Sequence, residues 1–369
     1  ICGVGSYSGE NEQDVSGKYI MPGFIDSHVH IESSMTQPSE YAKAVMPHGI
    51  TTVIADPHEI TNVCGEDGLE FMLKSAKNIP LDVNLMLPSC VPATPFEHTG
   101  ANLDAKTTQK LAPKFFGIGE MMNYPGIVSG DDETLGKLCL DIIDGHAPLL
   151  SGHELDAYAS AGIKTDHECS VVEEMTEKIS KGMYILLREG TLSLDVAKLI
   201  KDVTPYTLRR CAFCTDDRFV GEIIRDGSID HCIRKAVSLG LNNIDAIIMA
   251  TLNACEMYGM KNKGAIAPSY VADIVVADDL NLSSISQVYK NGKLVCENGK
   301  ALFECETVDN SKVTNTVHLP KISDDFFKTD VKDKFDAIEL IPESIITKKV
   351  TVSSVSYTHL RAHETRGNL

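Results

Sequence analysis

The sequence predicts an α/β fold, a (β/α)8 TIM-like barrel with a small β-sandwich domain built from both chain ends. Three observations predict it. Short apolar runs alternate with helical patterns from Gly23 to Asp217, and eight such runs can be counted in the 369 residues. After Gly264 the texture changes to short β-rich pieces. A further β-like piece, 18–21, precedes the first barrel run.

The eight runs are 24–30 (FIDSHVH), 51–57 (TTVIADP), 82–89 (DVNLMLPS), 116–122 (FGIGEMM), 140–147 (LDIIDGHA), 162–168 (GIKTDHE), 183–189 (MYILLRE) and 211–217 (CAFCTDD). Each has the length and β-branched or apolar content of a buried parallel strand. Helix-like segments lie between them at 38–46, 69–77, 154–161 and 171–181, the last with Ser170 and Glu173 spaced as a capping box. Two more helices are expected over 222–239 and 244–258. Strands follow at 272–279 and 286–300, where Asn291-Gly292 marks a hairpin turn. The expected division is a partial β segment at 1–22, the barrel at 23–262, the remaining β-domain strands at 263–310, the start of a truncated C-terminal domain at 311–352, and an unstructured tail or scar at 353–369. The chain begins without Met in mid-pattern, so it reads as a fragment.

Composition narrows the function. A net charge of −18 disfavours nucleic-acid and anionic-membrane partners. No apolar run is long enough to span a bilayer and no signal peptide is visible, so a cytoplasmic protein is expected. Eleven cysteines without scaffold spacing read as free thiols of a reducing compartment. Cys211 and Cys214 form a lone CxxC inside an apolar run, and structural thiols are the expectation there.

Seven of the eight runs end in residues able to bind metal or move protons. The first gives His28 and His30, which point the same way because strand side chains alternate. The second gives Asp56, followed by His58 and Glu59; the fourth gives Glu120. The fifth gives His146, the sixth His167 and Glu168, the seventh Arg188 and Glu189, the eighth Asp216 and Asp217. Singly, each has an ordinary explanation as a cap, a turn residue or a solvated face. Jointly they stand where a barrel enzyme keeps its active site, and four histidines with two carboxylates point to a metallohydrolase-type centre. For His58 and Glu59, loop capping is the expectation over an accessory metal.

The segments PGFIDSHVHIESSM, TTVIADPHEI, GIGEMMNYPG, DGHAP, SGHELDAYASAGIKTDHE, MYILLREG, FCTDDR, MATLNACEMYG and GAIAPSYVADIVVADDL resemble the amidohydrolase superfamily and, within it, the bacterial-type adenine deaminases. The resemblance runs from about Lys18 to Val350. It implies hydrolytic deamination of adenine to hypoxanthine in purine salvage, on two divalent metal ions, manganese or iron ahead of zinc. It also implies a homodimer. His28, His30 and Asp216 would hold one ion and His146 and His167 the other, with Glu120 bridging. Asp216 would shuttle the proton and Glu168 or Glu189 would protonate the ring. Asp56, Arg188 and Asp217 would contact substrate or orient ligands, with a structural salt bridge as the other role for Arg188. Thr191-Leu192-Ser193 departs from the small Ser/Ala-rich loop that the resemblance implies. The alternative is another amidohydrolase reaction, cyclic-amide or N-acyl hydrolysis, on the same centre; Glu120 counts against families that bridge with lysine. A non-catalytic scaffold would require missing ligands.

Overall fold

Every predicted barrel run forms a strand. In the computed structural model, which describes residues 1–327 and 333–353, β1 (Tyr19–Pro22) is followed by β2 (Phe24–Val29), β3 (Ile50–Ala55), β4 (Asp82–Leu87), β5 (Gly117–Met121), β6 (Ile143–Gly145), β7 (Thr165–Asp166), β8 (Tyr184–Arg188) and β9 (Cys211–Cys214). β2 to β6 pair in parallel in chain order, as do β7 to β9. The groups adjoin where Gly145 N–H donates to the Thr165 hydroxyl over 3.0 Å. On the other side Asp216 bridges to β2: its N–H donates to His28 O over 3.0 Å, and its carbonyl accepts from His30 N–H over 3.0 Å. The result is an α/β, TIM-like arrangement whose strand ends share one rim. β2, β3 and β5 are buried at every residue, as expected for parallel strands covered on both faces.

The intervening helices correct several expectations. The helix foreseen at 69–77 begins far earlier, at His58, and runs to Ser75 with a kink at Gly65, whose φ of 57° suits glycine. The helix foreseen at 171–181 spans Val172–Ser180, but its cap is Val171, extended and with no side-chain bond. Ser170 lies one residue ahead of the cap position, so the capping box does not form. The segment 222–239 is two helices, Val220–Asp226 and Ile229–Ser238, parted at Gly227 with φ 98°. The segment 244–258 is likewise two, Asn243–Met249 and Leu252–Met257, parted where Thr251 leaves helical backbone at φ −137°, ψ −85°.

Beyond the barrel, β10 (Ile274–Ala277), β11 (Ile285–Lys290), β12 (Lys293–Glu297) and β13 (Lys300–Ala301) join β1 in one antiparallel sheet, ordered β1-β10-β11-β12-β13. Asn291 and Gly292, both at positive φ (52° and 78°), make the expected tight turn. The sheet is tied to the start of β4 by an ionic cluster: Lys290 Nζ donates to Asp82 and Asp273, 2.6 Å to each, and Lys263 joins both. The chain divides into compact units Ile1–Thr316 and Val317–Leu369. In the second, β14 (Lys334–Leu340) pairs antiparallel with β15 (Thr347–Ser353). Of the expected tail at 353–369, Ser353 ends that strand and the rest lies outside the described residues.

Candidate metal centre

The ends of β2, β5, β6, β7 and β9 bring the six expected ligands together. His28 is fully buried and His30 nearly so, and their Nε2 atoms lie 3.1 Å apart. Asp216 Oδ1 lies 3.1 Å from His30 Nε2 and 3.7 Å from His28 Nε2. Across the site, Glu120 Oε2 lies 2.8 Å from His146 Nδ1 and 2.9 Å from His167 Nε2, while Oε1 lies 3.6 Å from His30 Nε2. One carboxylate therefore reaches both halves. The His28 and His167 rings stack with centroids 4.0 Å apart.

The donor set fits divalent cations. Donors that share an ion at about 2.1 Å lie roughly 3–3.5 Å apart, close to the separations around His28, His30 and Asp216. Both ring nitrogens of buried His167 and Nδ1 of His28 have no hydrogen-bond partner among the described residues. His167 Nε2 is thus near Glu120 without a hydrogen bond to it, as a nitrogen lone pair aimed at a shared ion would be. His28–His30–Asp216, His28–Glu120–His167 and His146–His167–Glu168 each form a trio whose donor atoms lie within 4.8 Å.

Burial alone would raise the Glu120 carboxyl. The facing His146, His167 and His58 instead hold it well below the usual carboxylate range. Asp216 is likewise held well below that range against burial, by His30, His167 and Arg188. Burial pushes the other way on His30, yet Glu59, Asp216 and Glu120 carry it well above its ordinary value. Such a site concentrates negative charge, and a bound cation would displace the imidazole protons.

Several residues fix these donors. Asp56 Oδ2 accepts Glu120 N–H over 2.9 Å, and His30 Nδ1 meets Asp56 O at 2.7 Å. Gly119 leaves room for this, since a Cβ there would lie 2.1 Å from Asp56 Oδ2. Arg188, 1% exposed, clasps both oxygens of Glu168, Asp216 Oδ2 at 2.8 Å, and Asp195 Oδ2 at 3.1 Å. The structural salt bridge is therefore what Arg188 makes. Asp216 itself sits at φ 56°, a backbone strain of the kind that clusters at functional sites.

Three residues stand differently from expectation. His58 and Glu59 do not cap: Pro57 holds the cap position, with no side-chain bond, and both residues open the helix facing the centre. His58 Nδ1 lies 3.2 Å from Glu120 Oε1, and Glu59 Oε2 lies 3.7 Å from His30 Nδ1. Glu189 points away from the ligands. Its Oε1 pairs with Lys235 Nζ at 2.5 Å; Glu189 directly follows the last residue of β8, Arg188, whose side chain faces in. Asp217 sits on the exposed rim, where it accepts the Ser33 hydroxyl. Sequence reasoning missed Asp144, whose Oδ2 lies 3.5 Å from His28 Nδ1 and whose oxygens accept Tyr258 O–H over 3.0 and 3.2 Å. Its two-residue spacing from His146 within the apolar run 140–147 was the available signal.

Residues 19–295 match the Amidohydrolase family. The chain belongs to that family. Relatives agree: it is 49% identical over 359 residues to an adenine deaminase of Clostridium acetobutylicum, covering 95% of this chain and 63% of that protein. It is 47% identical over 342 residues to an adenine deaminase of Nitratidesulfovibrio vulgaris, covering 90% and 60%. The chain thus spans about three fifths of the length of these curated relatives. Among solved structures, an N-acetyl-D-glucosamine-6-phosphate deacetylase from Mycobacterium smegmatis shares the amidohydrolase fold at a TM-score of 0.58 and 16% identity, over 80% of this chain and 92% of that one. A beta-aspartyl dipeptidase from Fervidobacterium islandicum does so at 0.54 and 19%, over 80% and 87%.

Proposed function

We propose that this amidohydrolase deaminates adenine hydrolytically, yielding hypoxanthine and ammonia. The observation that carries the reading is Glu120 standing between His28–His30–Asp216 and His146–His167, a cradle for two divalent cations. The relatives named adenine deaminase, 41–49% identical over 90–96% of this chain, supply the substrate class. When bound, such ions supply a water of lowered pKa and offset negative charge as it develops. Manganese or iron, ahead of zinc, is the proposed pair.

The residues of the chain handle the protons. Water adds to the ring carbon that bears the exocyclic amine, giving a tetrahedral centre. Asp216 is held ionised, with one oxygen fixed by Arg188 and the other turned to the histidines, so it can take a water proton. It passes that proton to the departing amine, which leaves as ammonia. The second water proton goes to the ring nitrogen through Glu168, whose Oε1 lies 3.3 Å from His167 Nε2. Arg188 and His167 hold Glu168 ionised against burial, so it relays a proton rather than storing one. Glu189, tied to Lys235, is assigned to the loop beyond β8 rather than to chemistry.

We read segments 1–22 and 263–310 as a small β-sandwich domain built from both chain ends, 23–262 as the barrel domain and 311–352 as the opening of a further domain. A cytoplasmic homodimer that binds neither nucleic acid nor membranes is the accompanying proposal. The charge of −18 supports the lack of nucleic-acid and anionic-membrane partners; among the described residues, no helix is long and apolar enough to cross a membrane.

The test is to purify the chain, determine bound metal, and follow adenine by ultraviolet absorbance together with ammonia release. Loss of adenine with stoichiometric ammonia is expected. Full metal loading without adenine turnover, or turnover of a cyclic amide or N-acyl compound instead, would sink the reading.

A further inference from the structure

Lys178 lies on the helix Val172–Ser180 and is 0% exposed, yet it is no metal donor. Its Nζ donates to Ala147 O over 2.7 Å and to Glu174 Oε1 over 2.7 Å, and lies 3.1 Å from Asp166 Oδ1. These partners frame two of the ligands. Ala147 directly follows His146, and Asp166 directly precedes His167. Asp166 completes the frame: Oδ2 accepts Ala147 N–H over 2.9 Å and Oδ1 accepts Glu168 N–H over 2.8 Å. Ala147 is therefore gripped at its carbonyl by the lysine and at its N–H by the lysine's own counter-ion. Glu174 extends the grip by accepting Leu149 N–H over 2.7 Å.

We propose that Lys178, acting through Asp166, is a positioning residue that presets His146 and His167 as one half of the cation cradle. The proposal rests on the two-cation reading. A buried ammonium is expensive to desolvate, and an apolar side chain of similar length would fill the space at lower cost. An apolar replacement, however, cannot join two carboxylates and a carbonyl at one point; an ammonium has three donors and does. The loops after β6 and β7 come from separate βα units, with only a short contact between the strands, so their relative register needs such a tie. The other half-site, His28–His30–Asp216, is set by the backbone bridge between Val29 of β2 and Asp216, just past the end of β9, and makes no use of Lys178.

The experiment strips the full chain of metal and titrates it with Mn²⁺. Equilibrium metal content and the electron paramagnetic resonance signature of a spin-coupled manganese pair are recorded. Wild type is expected to bind two ions with coupling. Lys178→Met is expected to keep the first ion near wild-type affinity, to weaken the second by about 10–100-fold, and to lose the coupled signal. Glu174→Gln, which leaves Lys178 in place, guards against misfolding and should shift the second ion in the same direction by a smaller factor. Lys290→Met, which breaks the buried ionic cluster at the start of β4, should lower stability without touching either ion. Two-ion binding with unchanged affinities in a folded Lys178→Met or Glu174→Gln protein overturns the proposal, as does equal loss of the second ion in Lys290→Met. Wild type that binds fewer than two ions overturns the two-cation reading itself, a separate outcome.

Discussion

Arg188 fixes one face of Asp216: its guanidinium donates to Oδ2 over 2.8 Å, which leaves Oδ1 3.1 Å from His30 Nε2. A permanent cation thus orients the carboxylate without competing for the oxygen that faces the donor cluster. Because the guanidinium also clasps Glu168, the two proposed proton carriers share one anchor.

Replacing Asp216 with Asn keeps the shape and removes the proton acceptor. The turnover number for adenine should fall by about 10²–10⁴-fold, the usual scale for a general acid–base group. Steady-state kinetics with parallel metal analysis checks this; near-normal turnover at full metal content would move the proton transfer to another residue.

Arg188→Met leaves the carboxylates of Glu168, Asp195 and Asp216 without their buried cation. Removal of one partner from such a group costs about 3–5 kcal/mol. Urea unfolding should show a loss of unfolding free energy of about that size, and a stability equal to wild type would mean the anchor is dispensable.

Gly119 has a local reason to be glycine, since a Cβ would lie 2.1 Å from Asp56 Oδ2. Gly119→Ala should displace Asp56 from Glu120 N–H and turn Glu120 from the shared position. Metal affinity measured by calorimetry is expected to drop by about 10-fold or more; unaltered binding would show that Asp56 can shift at no cost.

His231 supplies a pH dependence away from the ligands. Burial, with Arg218 and Arg234 nearby, lowers its pKa from 6.5 to about 4. The unfolded chain therefore binds the extra proton first, so stability from this group is present above about pH 6.5 and is lost as pH falls toward 4. The ring keeps 31% exposure, and after discounting for solvent the loss is on the order of 1–2 kcal/mol. His231→Gln should flatten the stability curve between pH 6.5 and 4, read by denaturant titration at each pH; an unchanged slope would assign the effect to other groups.

The eight strands and the clustering of the candidate donors at their ends were legible in the sequence because both rest on local patterns. An apolar run of five or six residues marks its own strand, and polar groups placed at its C-terminal end mark the rim. Helix limits were less legible. Gly227 and Thr251 interrupt segments that are continuously amphipathic, and the true start at His58 follows a proline rather than a capping side chain.

By itself, then, the sequence pointed to the TIM-like order of strands and to the six candidate donors His28, His30, Glu120, His146, His167 and Asp216, which the fold brings together. Only the tertiary structure decided which neighbours serve them. It turned His58 and Glu59 toward the centre, faced Glu189 to Lys235, and set Asp144 behind His28. It also gave Arg188 and Lys178 their buried carboxylates. The physical reason is range. Strand periodicity is written within a few residues, whereas a buried ion pair depends on how segments distant in the chain pack, and no local pattern carries that.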